Sequence, residues 1–362
     1  MFCDFCRMLA EAVGCLSDVC RMLKLEVDLF RVHEPTVYHS QKITMDDEGP
    51  PINHLLTPDE MMMKGLALRG YTSRRLKRCK GKTNVFRFKH HFGISPVTAV
   101  WVYSDLQTTN IPGARIKGGD LDLKYLFMGL YYVRKYPKEE DMSVEFNYSN
   151  KHARDKTWGA IEKIRLLKDK VIVWEENYQQ GKRWVISVDG IHCWINEPSH
   201  AEWSQDSAYY SHKYNKAGLD YELGISLVDN RLLWMKGPYP AGTNDITVFR
   251  EGGLLDELKK RKQKAIGDKG YNGEKKYVST FNAHDNAGVK VFKSRALKRH
   301  ENFNNLLKQN QILDTRFHHN HERFACAFEA CCVLAQYRIQ GEIPLYDILI
   351  EDVVDRYNGD KD

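Results

Sequence analysis

The hydrophobic rhythm of the chain changes once, near residue 180, and the change divides it. From Asn84 to about Ile172 apolar positions recur at helical spacing between turn residues. Phe86 to His91 reads as a short first element broken by Gly93. Ser95 and Pro96 supply the N-cap and first-turn proline of a helix reaching about Leu106. Leu123, Leu126, Phe127, Leu130 and Val133 form an apolar stripe on a helix from Leu121 to Tyr136, which Pro137 stops. Helices over Glu139 to Phe146 and Lys151 to Leu167 follow, separated by the turn Asn147-Tyr148-Ser149. Upstream, an amphipathic helix opens the chain, and Asp46-Asp47-Glu48-Gly49-Pro50-Pro51 reads as a loop.

From Arg183 the period becomes that of strands. Trp184 to Val188, Ala208 to Tyr214, Leu219 to Leu227 and Arg231 to Lys236 are short, rich in Val, Ile, Tyr and Trp, and separated by turn residues. Beyond Gly242 the pattern predicts a helix from about Asp245 to Lys262, strands Lys264 to Gly267 and Val289 to Phe292, and helices from Ser294 to Gln309 and Arg323 to Tyr337. Antiparallel strands followed by alternating helices and strands imply an α/β mixed sheet flanked by helices.

Composition adds limits. The 362 residues are 42% hydrophobic and 28% charged, enough apolar material for a real core. No run of about 18 apolar residues predicts a membrane span. Asp4, Arg7, Glu11, Asp18 and Arg21 interrupt the stretch a secretory signal would need. An intracellular protein with its nine cysteines mostly as thiols is therefore expected, in the nucleus or in cytoplasm and nucleus. Cys3-x-x-Cys6, with Cys15 and Cys20, lacks the spacing and paired histidines of a zinc finger, and His318, His319 and His321 read as surface histidines. The net charge of +6 matters less than its placement: Met61 to Ser104 holds ten Lys or Arg and no acid, densest at Arg74, Arg75, Lys77, Arg78, Lys80 and Lys82. A flexible linker or a nuclear address fits this block as well as a phosphate-neutralising surface does. A helix–turn–helix in the region is likewise either a DNA-reading device or a common helix junction.

Four acids stand out. Asp189 closes the apolar strand Trp184 to Val188 and is followed by Gly190, so it is expected to leave the sheet end. Asp268 repeats this in Ala265-Ile266-Gly267-Asp268-Lys269-Gly270-Tyr271. Glu301 lies 33 residues later on a predicted helix, and Asp245 starts the helix after the fourth strand. Hard divalent cations take oxygen ligands, and carboxylates from separate elements can hold two ions roughly 3.5–4 Å apart, clamping both oxygens of a phosphodiester displacement. The plainer roles are an N-cap for Asp245 and an exposed pair with Lys298 for Glu301.

Taken in chain order, Asp189-Gly190-Ile191-His192, the Gly237-to-Arg250 stretch with Gly242-Thr243-Asn244-Asp245, Gly267-Asp268-Lys269-Gly270-Tyr271 and Arg299-His300-Glu301-Asn302-Phe303-Asn304 resemble the catalytic domain of PIF/Harbinger transposases and their DDE-superfamily nuclease relatives. The resemblance covers about Tyr178 to Tyr337 and extends more weakly back to Phe92. It implies a ribonuclease H-like domain with a mixed five-stranded sheet, preceded by an all-helical, helix-turn-helix-like region. It places Asp189 on the first strand, Asp268 on the fourth and Glu301 on the helix after the fifth as catalytic residues. Asp189, Asp245, Asp268 and Glu301 are then the ligands of Mg²⁺ or Mn²⁺, and His192 orients the site.

The resulting expectation has four parts: a variable segment 1–83 with its basic stretch, a helical DNA-binding region 84–175, an endonuclease domain 178–338 and a tail 339–362. The reaction is hydrolysis of a DNA phosphodiester by water activated by charge, with strand transfer by the new 3′ hydroxyl as its sequel. Basic residues from Met61 to Lys89 position phosphates. DNA is the partner; an accessory DNA-binding protein and a homo-oligomer are compatible with this reading. The alternative is a transposase-derived DNA-binding protein without cutting activity.

Overall fold

The computed structural model describes residues 56–109, 121–196 and 207–348. The N-terminal amphipathic helix, the loop after it and the four N-terminal cysteines lie outside the described residues.

Capping chemistry places the helices of the first half. Thr57 and Glu60 form a capping box at the start of α1 (Pro58–Leu68). Thr72 caps α2 (Ser73–Arg78), which is followed by α3 (Gly81–Phe92), ended by Gly93 in the left-handed region. Ser95 caps α4 (Pro96–Thr108), Asp122 caps α5 (Leu123–Lys135), and Ser149 caps α7 (Asn150–Leu166). Between the last two lies α6 (Glu139–Phe146), and the short α8 (Lys168–Val171) closes the region. The basic block is ordered helix, not linker: buried Leu76 anchors α2, and Asn84 Nδ2 donates to the Leu76 carbonyl at 3.0 Å. Arg74, Arg75, Lys77 and Arg78 stand exposed on it.

The sheet is mixed and has six strands, one more than expected: β1 (Trp184–Trp194), β2 (Tyr210–Ser211), β3 (Lys216–Ser226), β4 (Leu232–Pro240), β5 (Lys264–Ile266) and β6 (Val278–Ser279). Its path runs β2-β3-β1-β5-β6, with β4 also paired to β3; β1 is antiparallel to β3 and parallel to β5. The strand expected over Ala208 to Tyr214 shrinks to β2. Two helices, α9 (Asp245–Glu251) and α10 (Leu254–Arg261), replace the single one expected, because Gly252 and Gly253 interrupt it.

Val289 to Phe292 belongs to a helix, not to a strand. Its β-branched residues look strand-like locally, but Asn286 caps Val289, and Val289, Phe292, Ala296 and Phe303 bury one helical face. The outcome is one long helix, α11 (Ala287–Lys308), followed by α12 (Gln311–Asp314) and α13 (His321–Gly341). Helix α13 is buried around most of its circumference, by Phe324, Phe328, Cys331, Cys332, Ala335 and Ile339 among others. It joins the first-half helices to the sheet, and one apolar cluster runs from Met61 in α1 to Leu345. A second cluster packs Val185, Ile186 and Val188 against Phe249, Leu254 and Leu258. Among the described residues no helix is long and apolar enough to cross a membrane, and Cys79, Cys193, Cys326, Cys331 and Cys332 are free thiols.

Candidate active site

Strand register brings the first two aspartates together. The parallel pairing of β1 with β5 ends at Ser187 opposite Ile266. Asp189 and Asp268 each lie two residues further along, level with one another where β5 stops. Asp189 is thus not at a strand end, as its sequence context suggests: β1 continues to Trp194 against β3, with Asp189 opposite Leu223. What ends there is its β5 neighbour. Asp268 follows β5, not a fourth strand, because the short β2 adds one to the count.

Backbone amides fix both carboxylates. Gly190 N–H donates to Asp189 Oδ1 at 2.9 Å, and Gly270 N–H donates to Asp268 Oδ1 at 2.7 Å. Asp245 is the first residue of α9, with Asn244 at its cap position, so the N-cap role does not hold. Its carboxylate lies against the glycines of the other two motifs. A Cβ on Gly270 would stand 2.3 Å from Asp245 Oδ2 and 3.0 Å from Asp268 Oδ1, and one on Gly190 would stand 3.1 Å from Asp245 Oδ1. Gly190 and Gly270 stand one and two residues after Asp189 and Asp268 because a carboxylate occupies the space a side chain would need.

The electrostatics record the crowding. Burial, then the charges of Asp268 and Asp245, push the Asp189 carboxyl up to about 7. Burial, then Asp268 and Asp220, push Asp245 up to about 6. Lys213 is the cation whose charge opposes both rises. Neighbouring carboxylates resist joint ionisation unless positive charge is supplied.

Glu301 is not drawn into this cluster. It lies exposed on α11, with Lys298 Nζ 3.0 Å from its Oε2. The residue of α11 that reaches the aspartates is Asn304, whose Nδ2 donates to Asp189 Oδ2 at 3.2 Å. Three positions apart, Glu301 and Asn304 sit roughly 60° apart around the helix, one turn from each other on the same side. Helix α11 runs along β1 in register: His300 Nδ1 lies 3.1 Å from Ser187 Oγ, Asn304 meets Asp189, and Lys308 Nζ donates to the His192 carbonyl at 2.6 Å.

Residues 188–336 match the family of DDE superfamily endonucleases. That match supports nuclease chemistry in general. It spans all four acids, the sheet beyond the start of β1, and most of α13. No curated protein and no solved structure matches the chain.

Around the acids stand His192, which the resemblance singles out, and Glu222 and Asn304, which it does not. His192 Nδ1 lies 2.8 Å from Asp220 Oδ1, its ring stacks on Tyr214 at 4.5 Å, and its buried Nε2 has no partner among the described residues. Gly218 makes room for that ring, since a Cβ there would fall 1.9 Å from His192 Cε1. The carboxylate partner suits the orienting role expected of this histidine. Glu222, opposite Gly190, is buried, accepts from Trp234 Nε1 at 2.9 Å, and leaves Oε1 unpartnered. Asn304 lay inside the quoted motif, yet only the helical ladder from His300 to Lys308 picks it out. Among the described residues no three His, Cys, Asp or Glu side chains are gathered around one point as ready ligands. The donor chemistry nonetheless fits a hard divalent cation: half-buried carboxylates in one another's field, opposed only in part by the charge of Lys213.

Proposed function

We propose that the chain is a metal-dependent DNA endonuclease of the transposase kind, with a ribonuclease H-like catalytic part at 178–338 and a helical DNA-docking part at 84–175. One observation carries the reading: Asp189 and Asp268, set level by the β1–β5 register and joined by Asp245, form a half-buried group of mutually repelling carboxylates inside the family-matched segment. Asp189, Asp245 and Asp268, with Glu301, would hold Mg²⁺ or Mn²⁺, which supplies the charge that activates water and stabilises the leaving oxygen. The protein's own groups position that charge. The Gly190 and Gly270 amides and Asn304 fix the carboxylate oxygens, and the exposed cations of α2 bind phosphates. The four motifs in order support the PIF/Harbinger branch, strand transfer after cutting and a nuclear site of action.

A second reading, a transposase-derived DNA-binding protein without cutting activity, is favoured by the position of Glu301, paired to Lys298 outside the cluster. A Mg²⁺- or Mn²⁺-dependent nicking assay on supercoiled DNA separates the two. Wild type is expected to nick, and Asp189→Asn to lose nicking while still binding DNA, because asparagine keeps the shape but not the charge. Binding without nicking in wild type would establish the second reading.

A further inference from the structure

A cleft of about 520 Å³ lies between one face of α3 and the ends of α5, α11 and α13. Its lining includes Lys82, Phe86, Lys89, His90, Arg134 and Arg338. Four of these are cations, and no acid lines the cleft, although Glu342 pairs with Lys89 at 2.9 Å behind it. Lys82, Phe86, Lys89 and His90 follow the helical period along one face of α3, while Asn84, Phe88 and Phe92 bury the opposite face.

One feature of this cleft is unexplained by folding. Phe86 is 71% exposed, an unusual place for a phenylalanine, and its ring stacks on His90 with centroids 6.4 Å apart and planes at 23°. Burial and the charges of Lys135 and Arg134 push the His90 imidazole below its ordinary value, so the pair is a neutral flat platform. Arg338 is only 4% exposed and lines the cleft, yet its Nε has no partner among the described residues. Its Nη2 donates to Gln309 Oε1 at 3.0 Å, and Arg134 Nη1 donates to the Gln309 carbonyl, so both arginines are already fixed in place. The charge of Glu342 faces Arg338 from behind the cleft and offsets part of the cost of its burial.

We propose that this cleft holds an unpaired stretch of a DNA strand, with backbone phosphate on Lys82 and Arg134 and a base stacked on Phe86. The inference rests on the reading of the chain as a DNA-acting protein. The chemistry is that of single-strand sites, in which cations track the backbone and aromatic rings accept bases of any sequence. An exposed ring beside a cationic groove serves a single strand better than a duplex, whose bases already stack on one another. Gln309 caps the helix that carries Glu301 and Asn304, so a strand held here lies against the end of that helix.

Fluorescence anisotropy of the full chain in EDTA, with a short single-stranded DNA and a blunt duplex as probes, tests this. Phe86→Ala is expected to weaken single-strand binding about tenfold and duplex binding much less, and Phe86→Tyr to restore it. Lys82→Ala is expected to flatten the salt dependence by roughly 0.7 in logarithmic slope, one phosphate contact. Both side chains are exposed, so unchanged melting of the variants checks that folding is intact. Single-strand affinity that survives both substitutions, or a wild type that binds no single strand, overturns the cleft. A chain that never nicks but binds single strands through Phe86 overturns the endonuclease reading and leaves the cleft standing.

Discussion

At Glu222 a carboxyl group is enclosed beside the acids with one donor, the Trp234 indole, and one unpartnered oxygen. Burial, with a smaller contribution from the Asp245 charge, pushes it up to about 8. The group is therefore protonated in the folded chain at neutral pH and ionised in the unfolded one. A folded value raised above the unfolded one means that stability is fully present below about pH 4.5, declines as pH rises toward 8, and levels off above it. Glu222→Gln keeps the acceptor for Trp234 and cannot ionise. Urea unfolding should find wild type and variant alike near pH 4.5, with the variant more stable by on the order of 5 kcal/mol at pH 9. Parallel pH profiles for the two proteins would show that Glu222 is ionised, or hydrated, in the folded state.

At the scale of elements, α11 decides how the fourth acid is to be read. Its ladder along β1 points Asn304 at Asp189 and leaves Glu301 one turn back, paired to Lys298. Asn304→Ala should lower cutting by on the order of tenfold, the usual cost of losing a group that orients a metal ligand. Glu301→Gln should lower cutting as severely as Asp189→Asn while leaving the melting temperature unchanged, since an exposed pair within one helix contributes little to stability. Wild-type cutting by Glu301→Gln would reduce Glu301 to its pair with Lys298. The same helix shows where sequence reading succeeds and where it stops. Caps and stripes were legible because they are local: Ser95-Pro96, Leu123 to Val133 and the turn at Asn147 fall where expected. Val289 to Phe292 reads as a strand because a run of four residues with two valines and a phenylalanine carries no sign of the longer helical face it joins. Asp189 was found as a chemical group but placed at a strand end, because the end of β5 beside it is a property of pairing. The His192–Asp220 contact and the Glu222 burial depend on β1–β3 register and have no local signature.

Across the whole molecule, the helical region and the sheet divide by function in our reading but not by packing. Helix α13 is buried by both: Glu329 on it accepts from Arg165 and Lys168 at 3.0 and 2.7 Å, and Phe328 stacks on Tyr221 of β3 with ring centroids 3.8 Å apart. A helix apolar on most faces has no stable existence at a surface, so neither neighbour can withdraw without exposing it. Residues 56–348 should accordingly unfold in one transition by calorimetry, with far-ultraviolet circular dichroism and tryptophan fluorescence coincident. Phe328→Ala, which removes a fully buried ring from the junction, should lower stability by about 3–5 kcal/mol and keep the two signals coincident. A helical signal that persists after tryptophan fluorescence has changed, in wild type or variant, would mean that the first-half helices stand without the sheet. The shared core would then be two cores in contact. One transition would mean that the α3 cleft and Asp189 on β1 belong to a single cooperative unit, joined through the fixed end of α11.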